Sequence, residues 1–394
     1  MSYLAQDGKR DLTKDVELFD RLCQGSGFGH WCYDKDTEVL TDKGWMRWDC
    51  AVEQKPKLAA ADPNTGVIQF ESPAGWVAAP YSGKMYAVKG RGLDLLVTPN
   101  HNLIVSTRMS GGEWTEFKKA TAESVFGKPV RHTRSGNLDE RERVRTDNAW
   151  GYGEQDFAAL VGFFCGDGNI EVGSANVLYF NLRLPHKIEY LLSIAPSAER
   201  LRSGKWAVRG EGITVWFRNN CYTPCGQKKL PDSFLMATGC AFVGLMSGLR
   251  NSDGSAKRNT WSYSTTSLRL AGGVQALLHL NGLAAGWSVR KSTIATQRDC
   301  ICIHVSDRTS PRVETRHCGR SKTFTEQWVW YEGDVYCATV STGALLVRRN
   351  GVVSISGNSP HEHIAQASTA DHRSGPFIGW KQYRKFFANE NAPG

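Results

Sequence analysis

Residues 335–359 read VYCATVSTGALLVRRNGVVSISGNS. Runs rich in Val, Ile, Leu and Thr are separated by Ser-Thr-Gly and then by Asn-Gly. The Asn350–Gly351 pair is a strong hairpin signal, because both central residues of such a turn need positive φ. The stretch therefore predicts strands that finish a β unit, with Asn358 and Ser359 at its edge. The opening of that unit lies far upstream. From Cys32 the segments TEVLTDKGWMRW, GVIQF, KMYAVKG, LDLLVTP and HNLIVS are short apolar runs divided by Gly, Asp, Asn and Pro, a β-rich texture that runs to about Ser106. The β unit is split.

What splits it has a different texture. DFAALVGFFCG, CAFVGLMSGL and SLRLAGGVQALLHL predict helices, and VLYFNLRL, KWAVRG, ITVWFRN and CICIHVS predict strands, an α+β pattern over residues 155–325. Residues 115–150 are polar and charged, with RSGNLDERERVR at their centre, and predict a linker or exposed loop. Residues 1–31 predict a polar helical segment from Val16, Leu18 and Leu22 at helical spacing. The tail 359–394 matches neither texture.

The chain has 394 residues, enough for two or three domains. No run approaches the ~20 apolar residues of a membrane span, and the N-terminus lacks the apolar core of a signal peptide. A cytoplasmic location, in a bacterial or phage-infected cell, is the expectation. A net charge of +9 permits nucleic-acid binding through phosphate contacts. Eleven cysteines in such a compartment predict free thiols. Cys221/Cys225 and Cys300/Cys302 lack a second pair at zinc-finger spacing, which favours packed or idle thiols over metal.

Cys32 opens the β region and Asn358 closes it, followed by Ser359. Together they suit one chemistry. The Cys32 thiol attacks the preceding carbonyl and turns an amide into a thioester; the Ser359 hydroxyl attacks that thioester; the Asn358 side chain attacks its own backbone carbonyl. VTPNHNLIV supplies Thr98 and His101 at T-x-x-H spacing, and the imidazole can assist departure of the Cys32 nitrogen. Cys337 stands where a second proton-handling group would lie. Singly, a T-x-x-H is usually a turn, a Cys is usually packed, and an Asn-Ser pair means nothing. As an ordered set these residues resemble the intein family. The resemblance covers Cys32–Asn358 and implies a Hint fold, an all-β horseshoe that acts in cis as a monomer and needs no cofactor for splicing. In it Cys32 is the first nucleophile, Thr98 and His101 the assisting pair, Asn358 the cyclising residue and Ser359 the downstream nucleophile. Two positions depart from the family: Gly357 stands where many members carry His, and Cys337 where many carry Asp.

Within the insert, LVGFFCGDG (Leu160–Gly168) and MSGLRNSDG (Met246–Gly254) each predict a helix ending in Asp-Gly. Gly162 and Gly248 match and would let two helices approach closely. Asp167 and Asp253 would then sit at the negative helix ends, a placement costing about 0.3–1 kcal/mol each, and would repel one another. A divalent cation relieves both problems; oxygen ligands with open positions suit Mg²⁺, and phosphodiester cleavage is the natural use. One such motif would be read as a Gly-capped core helix; two resemble the paired motifs of LAGLIDADG (dodecapeptide) homing endonucleases. That resemblance implies Asp167 and Asp253 as metal ligands, double-stranded DNA as substrate, and Lys229 in QKKLP as a further catalytic residue, with Lys228 its ambiguous neighbour. Cys165 and Asn251 stand where the motif often has a first Asp. YFNLRL, KWAVRG, WFRNN and RNTWSYSTTS have the alternating polar and basic character of DNA-reading strands.

Joining the flanks gives GHWSPHEH, with His30, Ser359, Pro360, Glu362 and His363, followed by GWKQYRK. These residues resemble a C-terminal piece of a flavin-dependent thymidylate synthase of the phage or actinobacterial type. That enzyme's flavin signature is absent from the flanks; VRHTRSGN (Val130–Asn137) imitates it inside the charged linker. FAD is therefore expected only for a complete host enzyme whose remainder lies upstream or on another chain, and no synthase activity for this chain alone. The expected organisation is a flank at 1–31, the first Hint part at 32–120, a linker at 121–154, the endonuclease at 155–325, the second Hint part at 326–358, and a flank at 359–394. Two alternatives remain: a Hint-type domain that cleaves itself without ligation, and a splicing-active chain with an inactive nuclease.

Overall fold

The computed structural model describes residues 32–143, 150–257, 260–294, 296–306, 312–315 and 324–358. The helix expected before residue 32, Ser359 and the flank motifs lie outside the described residues.

In chain order the first elements are β1 (Tyr33–Asp34), β2 (Glu38–Thr41), β3 (Gly44–Arg47), α1 (Trp48–Gln54), β4 (Leu58–Ala61), β5 (Val67–Glu71), β6 (Gly75–Gly90), β7 (Leu93–Val97), β8 (Asn102–Thr107), β9 (Lys118–Thr121), α2 (Ala122–Val125), β10 (Val130–Thr133) and β11 (Asn137–Leu138). An inner set follows: α3 (Glu154–Asp167), β12 (Gly168–Asn169), β13 (Val177–Phe180), α4 (Pro185–Ile194), β14 (Glu199–Arg200), β15 (Trp206–Arg209), α5 (Ile213–Cys221), α6 (Gly239–Asn251), β16 (Gly254–Lys257), β17 (Thr260–Thr265), α7 (Leu268–Leu280), β18 (Ala285–Arg290) and β19 (Cys300–Ser306). Then come β20 (Arg312–Thr315), β21 (Phe324–Thr339), β22 (Ala344–Arg349) and β23 (Val352–Gly357).

The outer strands form three sheets. One is a closed barrel, β1-β21-β6-β7; one is ordered β20-β10-β8-β9; one runs β11-β5-β4-β2-β22-β23, with β3 on β2. In the barrel β6 and β21 pair antiparallel over their whole length, from Gly90 opposite Phe324 to Gly75 opposite Thr339. Segments far apart in sequence are thus closed on one another. The hairpin forms as its signal predicts: Asn350 has φ 48° and Gly351 φ 78°, and β22 pairs with β23. Tyr33, Trp48, Tyr86, Leu103, Val335 and Leu345 are among the buried side chains of this core.

The inner unit has its own core around Phe157, Phe163, Phe164, Phe217 and Phe234. Its two sheets share one order. The first is β12-β13-β15-β14 and the second β16-β17-β19-β18, all antiparallel, each following one helix of the α3/α6 pair. A helix, two strands, a helix and two strands are laid down twice.

The structure corrects three expectations. ITVWFRN, expected as a strand, is helix α5: Gly212 at φ 67° precedes it, and Ile213, Phe217 and Cys221 recur every four residues on its buried side. Its β-branched residues signalled strand, but the packed face has helical period. The expected linker at 121–154 carries β10, between β8 and β20, and β11, parallel to β5. There Val130, His132, Thr133, Arg134 and Ser135 are buried, while Arg131 pairs with Glu314 at 2.6 Å and lies over Trp114. Charge density read as exposure is instead a strand with one face inward. Finally, β20, expected within the 155–325 unit, belongs to the outer sheet through β10.

The two units meet at Arg348. Its guanidinium donates to both carboxylate oxygens of Glu38 and to Gln275 Oε1, and lies over Trp45 and Trp287. Trp45 Nε1 donates to the Gly272 carbonyl, and Gln275 Nε2 to that of Gly351.

Candidate functional site

The outer unit brings its two ends into one buried pocket. Cys32 precedes β1 and is fully buried. Thr98, just after β7, holds both its backbone groups: Cys32 N–H donates to Thr98 Oγ1 at 3.0 Å, and Thr98 N–H donates to the Cys32 carbonyl at 3.1 Å. His101 N–H closes the turn on the Thr98 carbonyl. The His101 ring contacts Tyr33 edge-on, and its Nε2 lies 3.1 Å from Ser356 Oγ. Tyr33 O–H donates to the Gly357 carbonyl at 2.5 Å. The residue after Cys32 thus bonds the residue before Asn358.

Asn358 is buried and held by the turn between β21 and β22. Its N–H donates to the Gly343 carbonyl and its Nδ2 to the Val340 carbonyl, both at 3.2 Å. Its Oδ1 has no hydrogen-bond partner among the described residues. Gly357 has a physical reason for being glycine. A Cβ there would stand 2.0 Å from the Asn102 carbonyl oxygen, where no side chain fits. An imidazole, which the intein resemblance leads one to expect at this position, is excluded by the backbone of β8.

Burial, then the neighbouring Cys337, push the Cys32 thiol well above its ordinary pKa. The resting thiol is protonated. Cys337 is buried in β21 opposite Val77. Thr98, His101, Cys337 and Asn358 therefore gather around Cys32 or its partner strand. Tyr33, Ser356 and Asn102 were not foreseen; only the position of Tyr33 beside Cys32 could have pointed to it.

The second cluster lies between α3 and α6. These helices touch through glycines: a Cβ at Gly162 would stand 2.3 Å from Leu245 O, at Gly244 2.1 Å from Gln155 O, and at Gly248 2.1 Å from Ala159 O. Contact this close places Asp167, the last residue of α3, beside Asp253, two residues past α6. Partial burial and then the Asp167 charge raise the pKa of Asp253, while Lys187 and Lys228 oppose the rise. Lys187 Nζ pairs with Asp167 Oδ2 at 2.6 Å.

Lys228, not Lys229, faces this cluster. Its Nζ donates to the carbonyls of Phe164 and Gly168, both at 2.5 Å, and burial lowers its pKa. Lys229 Nζ pairs with Asp232 at 2.8 Å and lines a cavity of about 200 Å³ toward Trp45 and Arg348 of the outer unit. Consecutive residues on an extended segment point opposite ways, so the pair could be split only by knowing which side faced inward. Tyr263 was also missed: it is buried near both carboxylates, and its hydroxyl has no hydrogen-bond partner among the described residues.

The donor set fits a hard divalent cation. Two carboxylates press on one another at helix ends where carbonyls also point, and water would complete the shell. Among the described residues no group of three or more His, Cys, Asp or Glu side chains converges. Cys221 is buried against Cys165, and Cys225 is exposed. No helix among the described residues is long and apolar enough to cross a membrane.

No family model matches the chain. It is 38% identical over 101 residues to the ATP-dependent Clp protease proteolytic subunit of Chlamydomonas moewusii, covering 26% of this chain and 10% of that protein. It is 23% identical over 389 residues to the ribonucleoside-diphosphate reductase subunit beta of Aquifex aeolicus, covering 90% of this chain and 53% of that protein. The chain thus spans between a tenth and about half the length of these curated relatives. Among solved structures, a splice-inactive variant of the AceL NrdHF class 3 split intein aligns with 84% of this chain and 99% of its own at TM-score 0.30 and 9% identity. Variants of the homing endonuclease I-DmoI align with 39% of this chain and 90% of their own at TM-score 0.30 and 11% identity. These scores are low, and the geometry above carries the functional reading.

Proposed function

We propose that residues 32–358 excise themselves and join residues 1–31 to 359–394. One observation carries this reading: Cys32 and Asn358, at the two ends of the segment, share a buried pocket bridged by the hydrogen bond from Tyr33 to the Gly357 carbonyl. A nucleophile and a cyclising amide buried together can act on their own backbone and need no opening for an outside substrate.

The steps follow from the groups present. Cys32 Sγ attacks the carbonyl carbon of residue 31, the bond from that carbon to Cys32 N breaks, and the thiol proton ends on that nitrogen. Thr98 fixes both the nitrogen and the carbonyl of Cys32, so little orientational freedom is left to lose. His101, against Tyr33 and Ser356, is the residue suited to proton transfer, and Cys337 borders Cys32. Ser359 Oγ then takes the acyl group from sulfur. Asn358 Nδ2 attacks its own carbonyl carbon and releases the Ser359 amine, and the resulting ester rearranges to an amide. All this proceeds in cis, in one monomer and without a cofactor.

We infer a second activity for the inner unit, cleavage of double-stranded DNA. Asp167 and Asp253 would hold Mg²⁺, which supplies charge stabilisation and water activation at a phosphodiester. Lys228, rather than Lys229, stands where a positive charge would act. The two like-ordered sheets offer exposed Arg200 and Arg290 to phosphates, with Arg209 beside them paired to Glu199 and exposed Arg183 in the loop after β13. The flanks remain our reading as thymidylate synthase-like pieces, with FAD belonging to the complete enzyme and the host cytoplasm as the setting.

Intact-mass measurement of the expressed chain tests the first activity. The expected products are an excised 32–358 species and a joined 1–31/359–394 species, both absent when Cys32→Ala and Asn358→Ala are combined. Fragments without the joined species would establish self-cleavage instead. Mg²⁺-dependent cutting of DNA that carries the uninterrupted host sequence tests the second.

A further inference from the structure

We propose that Lys119 activates the Asn358 side chain for cleavage of the bond after it. The proposal rests on the splicing reading and adds a residue to that site. Three observations converge on it. The Asn358 side-chain oxygen is buried and has no hydrogen-bond partner among the described residues, although a buried amide oxygen ordinarily has one. Gly343, at φ 73°, lies between that oxygen and the Lys119 side chain. The point where its Cβ would be is 2.0 Å from Lys119 Nζ, 2.6 Å from Lys119 Cε and 3.3 Å from Asn358 Oδ1. Only glycine leaves the room through which the ammonium, reaching in from edge strand β9, comes alongside the amide. Third, the Gly357 backbone is pressed on Asn102, so the residue before Asn358 can bring no polarising side chain of its own.

The chemistry explains why a cation belongs there. An amide nitrogen is a poor nucleophile because its lone pair is delocalised onto oxygen. As Nδ2 gives up a proton, negative charge collects on Oδ1, and a fixed positive charge beside that oxygen favours the reactive form. Nδ2 then bonds to the Asn358 carbonyl carbon, the bond from that carbon to the Ser359 nitrogen breaks, and the proton lost from Nδ2 ends on the departing amine. A five-membered imide closes the excised segment, and no co-reactant is consumed.

The test compares the full-length chain with Lys119→Met and Lys119→Arg. Two rates are read by intact mass: thiol-induced cleavage before Cys32 with dithiothreitol, and cleavage after Asn358 that leaves the imide. Lys119→Met is expected to slow the second rate at least about tenfold and leave the first unchanged, while Lys119→Arg restores most of the second. Equal second rates in all three chains overturn the proposal. So does Arg behaving like Met, or Met slowing both junctions together, since those outcomes mean packing rather than charge. If the unaltered chain cleaves at neither junction, the splicing reading itself fails and takes the proposal with it.

Discussion

The pocket at Cys32 and the cluster at Asp167 solve opposite problems. The first is closed: Cys32, Thr98, His101 and Asn358 are all buried, and its connections are hydrogen bonds between segments distant in sequence. The second is reachable: Asp253 still meets solvent although the protein crowds its carboxylate, Asp167 is only partly covered, and the helices that carry them join through bare backbone contacts at glycines. On the two activities proposed above, the difference follows from where the substrate comes from. A centre that acts once on its own chain gains from excluding water and needs no entrance. A centre that acts on a separate polymer must leave its charges where that polymer can reach them. Glycine serves both, clearing the path of β23 at Gly357 and joining the helices at Gly162 and Gly248.

The contrast predicts that the centres fail independently. Asp253→Asn should reduce Mg²⁺-dependent DNA cleavage by at least about 100-fold and leave the splicing rate unchanged. Parallel loss of splicing, followed on the same preparation by mass, would show that the two are one machine. Gly357→His supplies the imidazole that many inteins carry at the corresponding position, yet it should slow cleavage after Asn358 by tenfold or more, because overpacking against Asn102 shifts β23 at a cost of roughly 1–3 kcal/mol. Faster cleavage in that variant would mean the close approach is not restrictive.

Smaller effects sharpen the border between the regions. Arg348→Ala removes the cation that Glu38 and two tryptophans surround and should cost about 2–3 kcal/mol, read as an earlier unfolding transition of the inner unit against the outer. A single undivided shift would mean the units unfold together. Acid should loosen the same border. Burial holds His279, which meets the Arg134 carbonyl across that border, down to a pKa of about 3, and His132 within the outer sheet to about 4, both below the ordinary value. The unfolded chain therefore takes up protons first, so the stability from these neutral rings is complete above about pH 6.5 and is lost as pH falls toward 4. The expected loss at pH 4.5 is roughly 2.5 kcal/mol for each ring, and His279→Gln should reduce the slope in urea titrations across that range.

Much of the outer unit was legible because its signals are local. Asn350–Gly351 demanded a turn whatever surrounded it, and the ordered set Cys32, Thr98, His101, Asn358 suggested a chemistry that remains a proposal. The matched helices leading to Asp167 and Asp253 were legible for the same reason, since small residues recurring in apolar helices signal close contact. Other features were illegible where local signals conflict with the partner. β-branched residues in ITVWFRN favour a strand, and only the packed face of α5 decides otherwise. Val130–Thr133 looks like charged linker until β8 and β20 pair on either side of it. Nothing local distinguishes Lys228 from Lys229.

The sequence by itself determined the order of the parts, the split β unit, the residues at its two ends and the paired carboxylates, because each depends on residue type and short spacing. The tertiary structure alone decided that Tyr33 reaches Gly357, that the Asn102 backbone leaves no side chain room before Asn358, that Lys119 passes Gly343 toward a buried amide, and that the inner sheets share one strand order. Those facts come from pairings between residues tens to hundreds of positions apart. Such contacts depend on which faces the folded chain buries together, and no local pattern specifies that.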